Sequence, residues 1–220
     1  MKTLSLIAAA IALTAASTAN AGFVVYSDAT AFAAAAGALH TETFASAPLS
    51  GVTTANYSRV FTDFTLTSVS HSNYSGIVNS VYNGDNYAPA AGFNGQNFYG
   101  WGSSAGNQGP TSTFTLTGAT AIGFDFFNTD STDNYAISIN GVDRGGIGYF
   151  TSGFFGVIAT GADQINQLQI RTNSFGGYVS SAGVDNVRVA ARALPEPSAL
   201  VLTAGALLAL AGVRRRKNAR

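Results

Sequence analysis

Residues 112–117 read Ser-Thr-Phe-Thr-Leu-Thr and residues 121–127 read Ala-Ile-Gly-Phe-Asp-Phe-Phe. In Thr113-Phe114-Thr115-Leu116-Thr117, hydroxyls alternate with large apolar groups. A strand turns successive side chains to opposite faces, so one face is buried and the other is wet. Outward from this pair, short runs of the same kind recur about every ten residues, separated by Gly, Asn, Asp and Ser. They predict strands at 39–44, 59–70, 76–82, 112–117, 121–127, 134–139, 146–151, 154–159, 164–172 and 182–191, after an opening strand Phe23-Val24-Val25-Tyr26. Asn140-Gly141 follows Ile137-Ser138-Ile139 and suits a type I′ hairpin, which needs positive φ at both centres. Ser27 and Asp28 look like N-cap residues before an Ala-rich stretch 29–36 holding Phe32, and Gly37 supplies the stop. Many short strands after one helix predict an all-β, antiparallel, jelly-roll-like β-sandwich with one short N-terminal helix. A parallel α/β fold would need helical stretches between the strands.

Composition narrows the function. The chain has 220 residues, no Cys and 10% charged residues, against roughly 25% in an ordinary soluble domain. That excludes a disulfide scaffold, a zinc ribbon and a thiol enzyme. Between residues 22 and 194 ten acids face five arginines and there is no Lys. Such a surface offers no basic patch for a phosphate backbone, so no nucleic-acid partner is expected.

The two ends read as an address. Met1-Lys2, an apolar run from Leu4 to Leu13 and Ala19-Asn20-Ala21 have the order of a secretory signal peptide, with signal peptidase expected to cut after Ala21. At the other end, Pro195-Glu196-Pro197-Ser198 precedes an uncharged stretch 199–213 and then Arg214-Arg215-Arg216-Lys217. Fifteen helical residues span roughly 22 Å, short of a hydrocarbon core of roughly 30 Å, so the predicted transmembrane helix is a marginal anchor. Basic residues beside a span stay cytoplasmic, which puts everything before Pro195 outside the inner membrane. The prolines hold 194–197 extended, within reach of a protease. The organisation is then 1–21 signal peptide, 22–194 β-sandwich ectodomain and 195–220 tail.

That tail resembles the PEP-CTERM sorting signal of Gram-negative bacteria: a Pro-Glu-Pro motif, a short transmembrane helix and an arginine-rich end, recognised by an exosortase. The resemblance covers roughly the last 26 residues. It implies Pro195, Glu196 and Pro197 as the recognition residues, with the helix and Arg214, Arg215, Arg216 and Lys217 holding the chain in the inner membrane until processing. It further implies an exported protein delivered to the cell surface or extracellular matrix of exopolysaccharide-producing bacteria. Val25-Tyr26-Ser27-Asp28, Ile122-Gly123-Phe124-Asp125-Phe126, Gly153-Phe154-Phe155-Gly156-Val157 and Gly183-Val184-Asp185-Asn186-Val187 look like the β-sandwich ectodomains that often precede this tail. Some sandwiches with a similar final strand bind carbohydrate.

Residues 83–110 are dense in Gly and Asn and hold Tyr87, Phe93, Phe98, Tyr99 and Trp101. Sugars need aromatic planes beside amide or carboxylate groups. Tyr87, Tyr99 and Trp101 with Asp85 and Asn97, and with Asn86, Asn94 and Asn107, supply both kinds. The competing expectation is that these rings pin the segment to the sandwich or enter its core. Asp125, Asn128, Asp130, Asp133 and Asn134 form an acidic, amide-rich turn. Asp125, Asp130 and Asp133 offer hard oxygen ligands for calcium, although turn-forming Asp and Asn favour such a place anyway. Asp185-Asn186 in the final strand is either a ligand contact or a bulge. A glycosidase needs two carboxyl groups across a cleft, and Glu42 could pair with Asp63 or Asp125. No HExxH and no phosphate loop occurs, and His40 and His71 are the only histidines. The expectation is a non-enzymatic surface or matrix protein without a cofactor other than calcium, adhering to exopolysaccharide. The alternatives are an extracellular glycan-active enzyme and a self-assembling structural coat.

Overall fold

A computed structural model describes residues 22–50, 56–69, 74–78, 97–103, 111–128, 134–149, 151–172 and 180–191. The elements run β1 (Gly22–Tyr26), α1 (Ala29–Ala36), β2 (His40–Glu42), β3 (Tyr57–Val60), β4 (Phe64–Val69), β5 (Tyr74–Val78), β6 (Phe98–Ser103), β7 (Thr111–Asn128), β8 (Tyr135–Ile139), β9 (Val142–Ile147), β10 (Ser152–Thr160), β11 (Ile165–Thr172) and β12 (Ser180–Ala191). Every strand pairing is antiparallel.

The two strands expected at 112–117 and 121–127 are one, the 18-residue β7. Its first half pairs with β4 and β11, and its second half with β10 and β12. Ten residues of extended chain cover roughly 33 Å, yet the rings of Phe114 and Phe124 stack with centroids 6.3 Å apart. β7 must therefore turn over on itself between them, and it does so at Gly118, which has φ 64°. A Cβ there would also lie 2.9 Å from Gln164 Oε1. The turn divides the strands into two layers. One is β3-β4-β7-β11-β8-β9, and the other is β5-β6-β12-β7-β10-β1 with β2 added to β12. Their inner faces enclose Leu66, Ile122, Ile137, Val157, Leu168 and Val184, all fully buried.

α1 closes the outer face of the second layer. Asp28 accepts from the backbone N–H of Ala31 at 2.7 Å, and Gly37 ends the helix with φ 78°. Phe32 lies over Gly123 and Gly156, where an added Cβ would come within 3.1 and 2.6 Å of its ring. The glycines make the floor that lets one ring dock the helix.

Three expectations are corrected. The single strand predicted over 59–70 is the hairpin β3–β4, because the backbone N–H of Phe61 bonds the carbonyl of Phe64 at 2.8 Å and turns the chain. The strand predicted at 146–151 is Val142–Ile147, which pairs with β8 directly after the turn, as the Asn140-Gly141 hairpin requires. The segment 83–110, for which no strand was predicted, contains β6: Tyr99 and Trp101 alternate with Gly100 and Gly102, and β6 lies between β5 and β12. Among the described residues no helix is long and apolar enough to cross a membrane. The expected signal peptide, sorting motif, anchor helix and basic end lie outside the described residues.

Candidate functional site

The expected sugar-stacking rings are found in the core. Tyr99 is fully buried and Trp101 nearly so. Tyr99 packs against Tyr57 at 5.7 Å and Trp101 at 5.6 Å, and Trp101 meets the edge of Tyr135 at 5.6 Å. The Tyr99 hydroxyl bonds Ser112 Oγ at 2.8 Å, and burial pushes its pKa up to about 12. Neither ring offers a face to solvent. The Asn97 amide donates to the carbonyls of Phe44 and Ala47 at 3.2 and 3.1 Å, which ties the start of β6 to the chain leaving β2. Tyr87 and Asp85 lie outside the described residues.

Asp125 is held by its own sheet. Arg188 on β12 donates to both carboxylate oxygens at 3.1 and 3.0 Å, and Asn186 Nδ2 donates at 2.8 Å. The same guanidinium sits 5.2 Å above the Phe154 ring. Bidentate, partly buried contacts of this kind are the strong class of ion pair. Next to it β12 bulges: the register slips between Asp185 and Arg188, and Asn186 has φ 49°. The bulge stands where the outer neighbour of β12 changes from β6 to β2. Asp185 is buried there, accepting from the backbone N–H of Asn186 at 2.7 Å. Burial, helped by the nearby Asp125 and Glu42, pushes its pKa up to about 6, against the opposing pull of that N–H and of Arg188. Glu42 accepts from the backbone N–H of Phe44 at 2.7 Å. Among the described residues no group of three or more acidic or histidine side chains is placed to hold a metal. Asp130 and Asp133 lie outside the described residues.

A pocket of about 290 Å³ opens where the β3–β4 turn meets β7 and the end of β12. Phe61, Asp63, Thr65, Thr115, Thr117 and Val189 line it among others. That volume is at the lower end for small-ligand sites. Phe61 is half-buried, stacked on Phe64 at 4.9 Å with the Arg59 guanidinium 5.3 Å from its centroid. Asp63 pairs with Nδ1 of His40, the β2 residue in register with Val189. The pocket joins the outward face of the first layer, where Thr65 and Thr67 of β4 stand opposite Thr115 and Thr113 of β7, and these opposite Gln167 and Gln169 of β11. Sequence reading found the wet face of β7 from its alternation. The pocket escaped it, since only the fold brings residues 63, 115 and 189 together.

No family model matches the chain. No curated protein matches it. Among solved structures it is similar to the CBM22-1–GH10 modules of a Clostridium thermocellum endo-1,4-β-D-xylanase complexed with xylohexaose, at 14% identity and a TM-score of 0.33, over 58% of this chain and 26% of that one. It is also similar to the enzymatically active domain of tailspike protein 4 of bacteriophage CBA120, at 16% identity and a TM-score of 0.32, over 59% of this chain and 19% of that one. The chain thus spans about a quarter and a fifth of those two chains.

Proposed function

We propose that this is an exported, non-enzymatic surface or matrix protein that is sorted by an exosortase and adheres to exopolysaccharide. The observation that carries the reading is the order of three features in the tail: Pro195-Glu196-Pro197, the uncharged stretch 199–213 and the cluster Arg214 to Lys217. In this reading signal peptidase removes 1–21, and the tail holds the chain transiently in the inner membrane. Processing near the Pro-Glu-Pro motif then delivers the β-rich domain to the surface or the extracellular matrix. Its jelly-roll-like sandwich is the cargo.

Support for adhesion over catalysis comes from the acids. Asp28 caps a helix, Glu42 holds a turn, Asp63 pairs with His40, Asp125 with Arg188 and Asp143 with Arg171. A glycosidase keeps two carboxyl groups free to face a glycosidic bond, and these five are occupied within the fold. Calcium remains a proposal for Asp125 with Asp130 and Asp133, and it requires Asp125 to exchange Arg188 for a cation. The sorting reading is tested by replacing Pro195, Glu196 and Pro197 with alanine in the producing cell. Retention of the variant in the inner membrane, with the unaltered chain outside, is the expected result. Equal export of both would overturn it.

A further inference from the structure

The β8–β9 turn holds a reactive bond out of use. Asparagine is chemically labile, and most so when glycine follows it. The backbone nitrogen of the glycine attacks the side-chain carbonyl carbon, and the bond from that carbon to Nδ2 breaks. Nδ2 leaves as ammonia, taking the proton of the glycine nitrogen. Water then opens the five-membered imide at one carbonyl or the other and leaves aspartate or isoaspartate. Water is the only co-reactant. Asn140-Gly141 is such a pair, and it sits at the centre of a two-residue turn closed by Ile139 and Val142.

Neither burial nor crowding protects it. Asn140 and Gly141 are both exposed, and a Cβ built on Gly141 would meet nothing within 4 Å. What restrains the pair is hydrogen bonding. Asn140 Nδ2, the leaving nitrogen, donates to the carbonyl of Gln164 at 2.7 Å. Oδ1, on the carbon that is attacked, accepts from the N–H groups of Asn166 and Gln167 at 3.0 and 3.1 Å. The backbone N–H of Asn140 donates to the carbonyl of Gln167 at 2.9 Å. All of these partners stand at the start of β11. The carbonyl carbon must swing to the Gly141 nitrogen before the ring can close, and it cannot do so with both ends of the amide fastened to another strand.

We infer that Asn140 is a latent deamidation site, closed while its side chain is fastened to β11 and reactive when the turn lifts away. Its rate in the folded chain is then the unfolded rate multiplied by the fraction of time the turn is open. Isoaspartate adds a carbon to the main chain of a two-residue turn, so the product cannot refasten in the same geometry. The change is one-way and marks molecules whose turn has opened. Nothing in this depends on the proposed delivery to the cell exterior.

The test follows deamidation by peptide mass spectrometry in the full-length chain, kept in mildly alkaline buffer with mild detergent, folded or unfolded in guanidinium chloride. Asn83-Gly84 and Asn94-Gly95, which lie outside the described residues, serve as reference pairs in the unfolded chain. There Asn140 should keep pace with both. In the folded chain it should react roughly tenfold or more slowly than in guanidinium, as the loss of three net hydrogen bonds on opening requires. Asn166→Pro deletes one N–H that bonds Oδ1, at the bulge where residue 166 has no partner on β7. With folding verified by thermal melting, this variant should deamidate faster at Asn140 when folded and at the same rate when unfolded. Should the variant fail to fold, the unaltered chain in a series of guanidinium concentrations below its unfolding transition supplies the same comparison, with the rate at Asn140 rising as the turn is loosened. Equal folded and unfolded rates, a slow Asn140 in the unfolded chain, or a rate that neither Asn166→Pro nor the guanidinium series changes would each overturn the inference.

Discussion

Gly156 shows how much one missing methyl group decides. A Cβ at that position would lie 2.6 Å from the Phe32 ring and 2.7 Å from that of Phe154, so Gly156→Ala must displace the helix or the strand. Overpacking of this kind costs about 1–3 kcal/mol, to be read as a lower midpoint in urea denaturation. Trp101→Ala removes a ring packed between Tyr99 and Tyr135 and should cost about 3–5 kcal/mol. Loss of folding in that variant is the expected outcome, in place of a selective loss of sugar binding. Asp185 gives a pH signature. Its pKa rises from the ordinary 3.8 to about 6 on folding, so between those values the folded chain binds more protons than the unfolded one. Stability from this residue is therefore full below about pH 4 and is lost as pH rises through about 6. Asp185→Asn should be more stable than the unaltered chain at pH 7.5, with a flatter stability profile from pH 4 to 6, both measured by melting at fixed ionic strength. Residues that act on near neighbours were legible in the sequence: Asp28 and Gly37 cap α1, and Asn140 and Gly141 take φ 49° and 81°. Tyr99 and Trp101 were ambiguous, because a ring that stacks on a sugar and a ring that fills a core are the same residue type. Arg188 and Asp125 meet across 63 positions of sequence, and only the strand register joins them.

At the scale of elements, the alternation that predicted strands worked wherever one face is buried, as in β4 with its buried Phe64 and Leu66 and half-buried Thr65 and Thr67. It failed for β6, where Gly100 and Gly102 stand between the apolar residues and Gly reads as turn chemistry. At Gly100 the small residue has a packing reason, since a Cβ would lie 3.0 Å from the Phe98 ring and 3.1 Å from Val78. It also cut β7 in two at Gly118, where the strand runs on but changes direction and exchanges β4 and β11 for β10 and β12 as partners. The β8–β9 turn carries more than its hairpin. Asn140 Nδ2 donates to the carbonyl of Gln164 at 2.7 Å, and Asn140 Oδ1 accepts from the N–H groups of Asn166 and Gln167 at 3.0 and 3.1 Å. The turn thereby fixes the bulged start of β11. Asn140→Gly keeps the turn geometry and removes these bonds, and a loss of about 1–3 kcal/mol in chemical denaturation is expected. A loss near zero would show that water replaces the side chain.

At the scale of the molecule, β7 ties two antiparallel layers into one body, one outer face covered by α1 and the other presenting hydroxyls and amides. The all-β class and the helix α1 followed from spacing and caps. How the layers share β7 did not, because pairing partners far apart in sequence leave no local mark. The proposed delivery to the cell exterior rests on sequence at both ends and is independent of the sheet. It is tested most directly by the intact mass of the chain recovered from the washed outer surface and matrix of the producing cells. The expected species begins at Gly22 and has lost the apolar stretch and arginines that follow Pro197. A single species running from Met1 to Arg220, recovered from the cytosol, would contradict it.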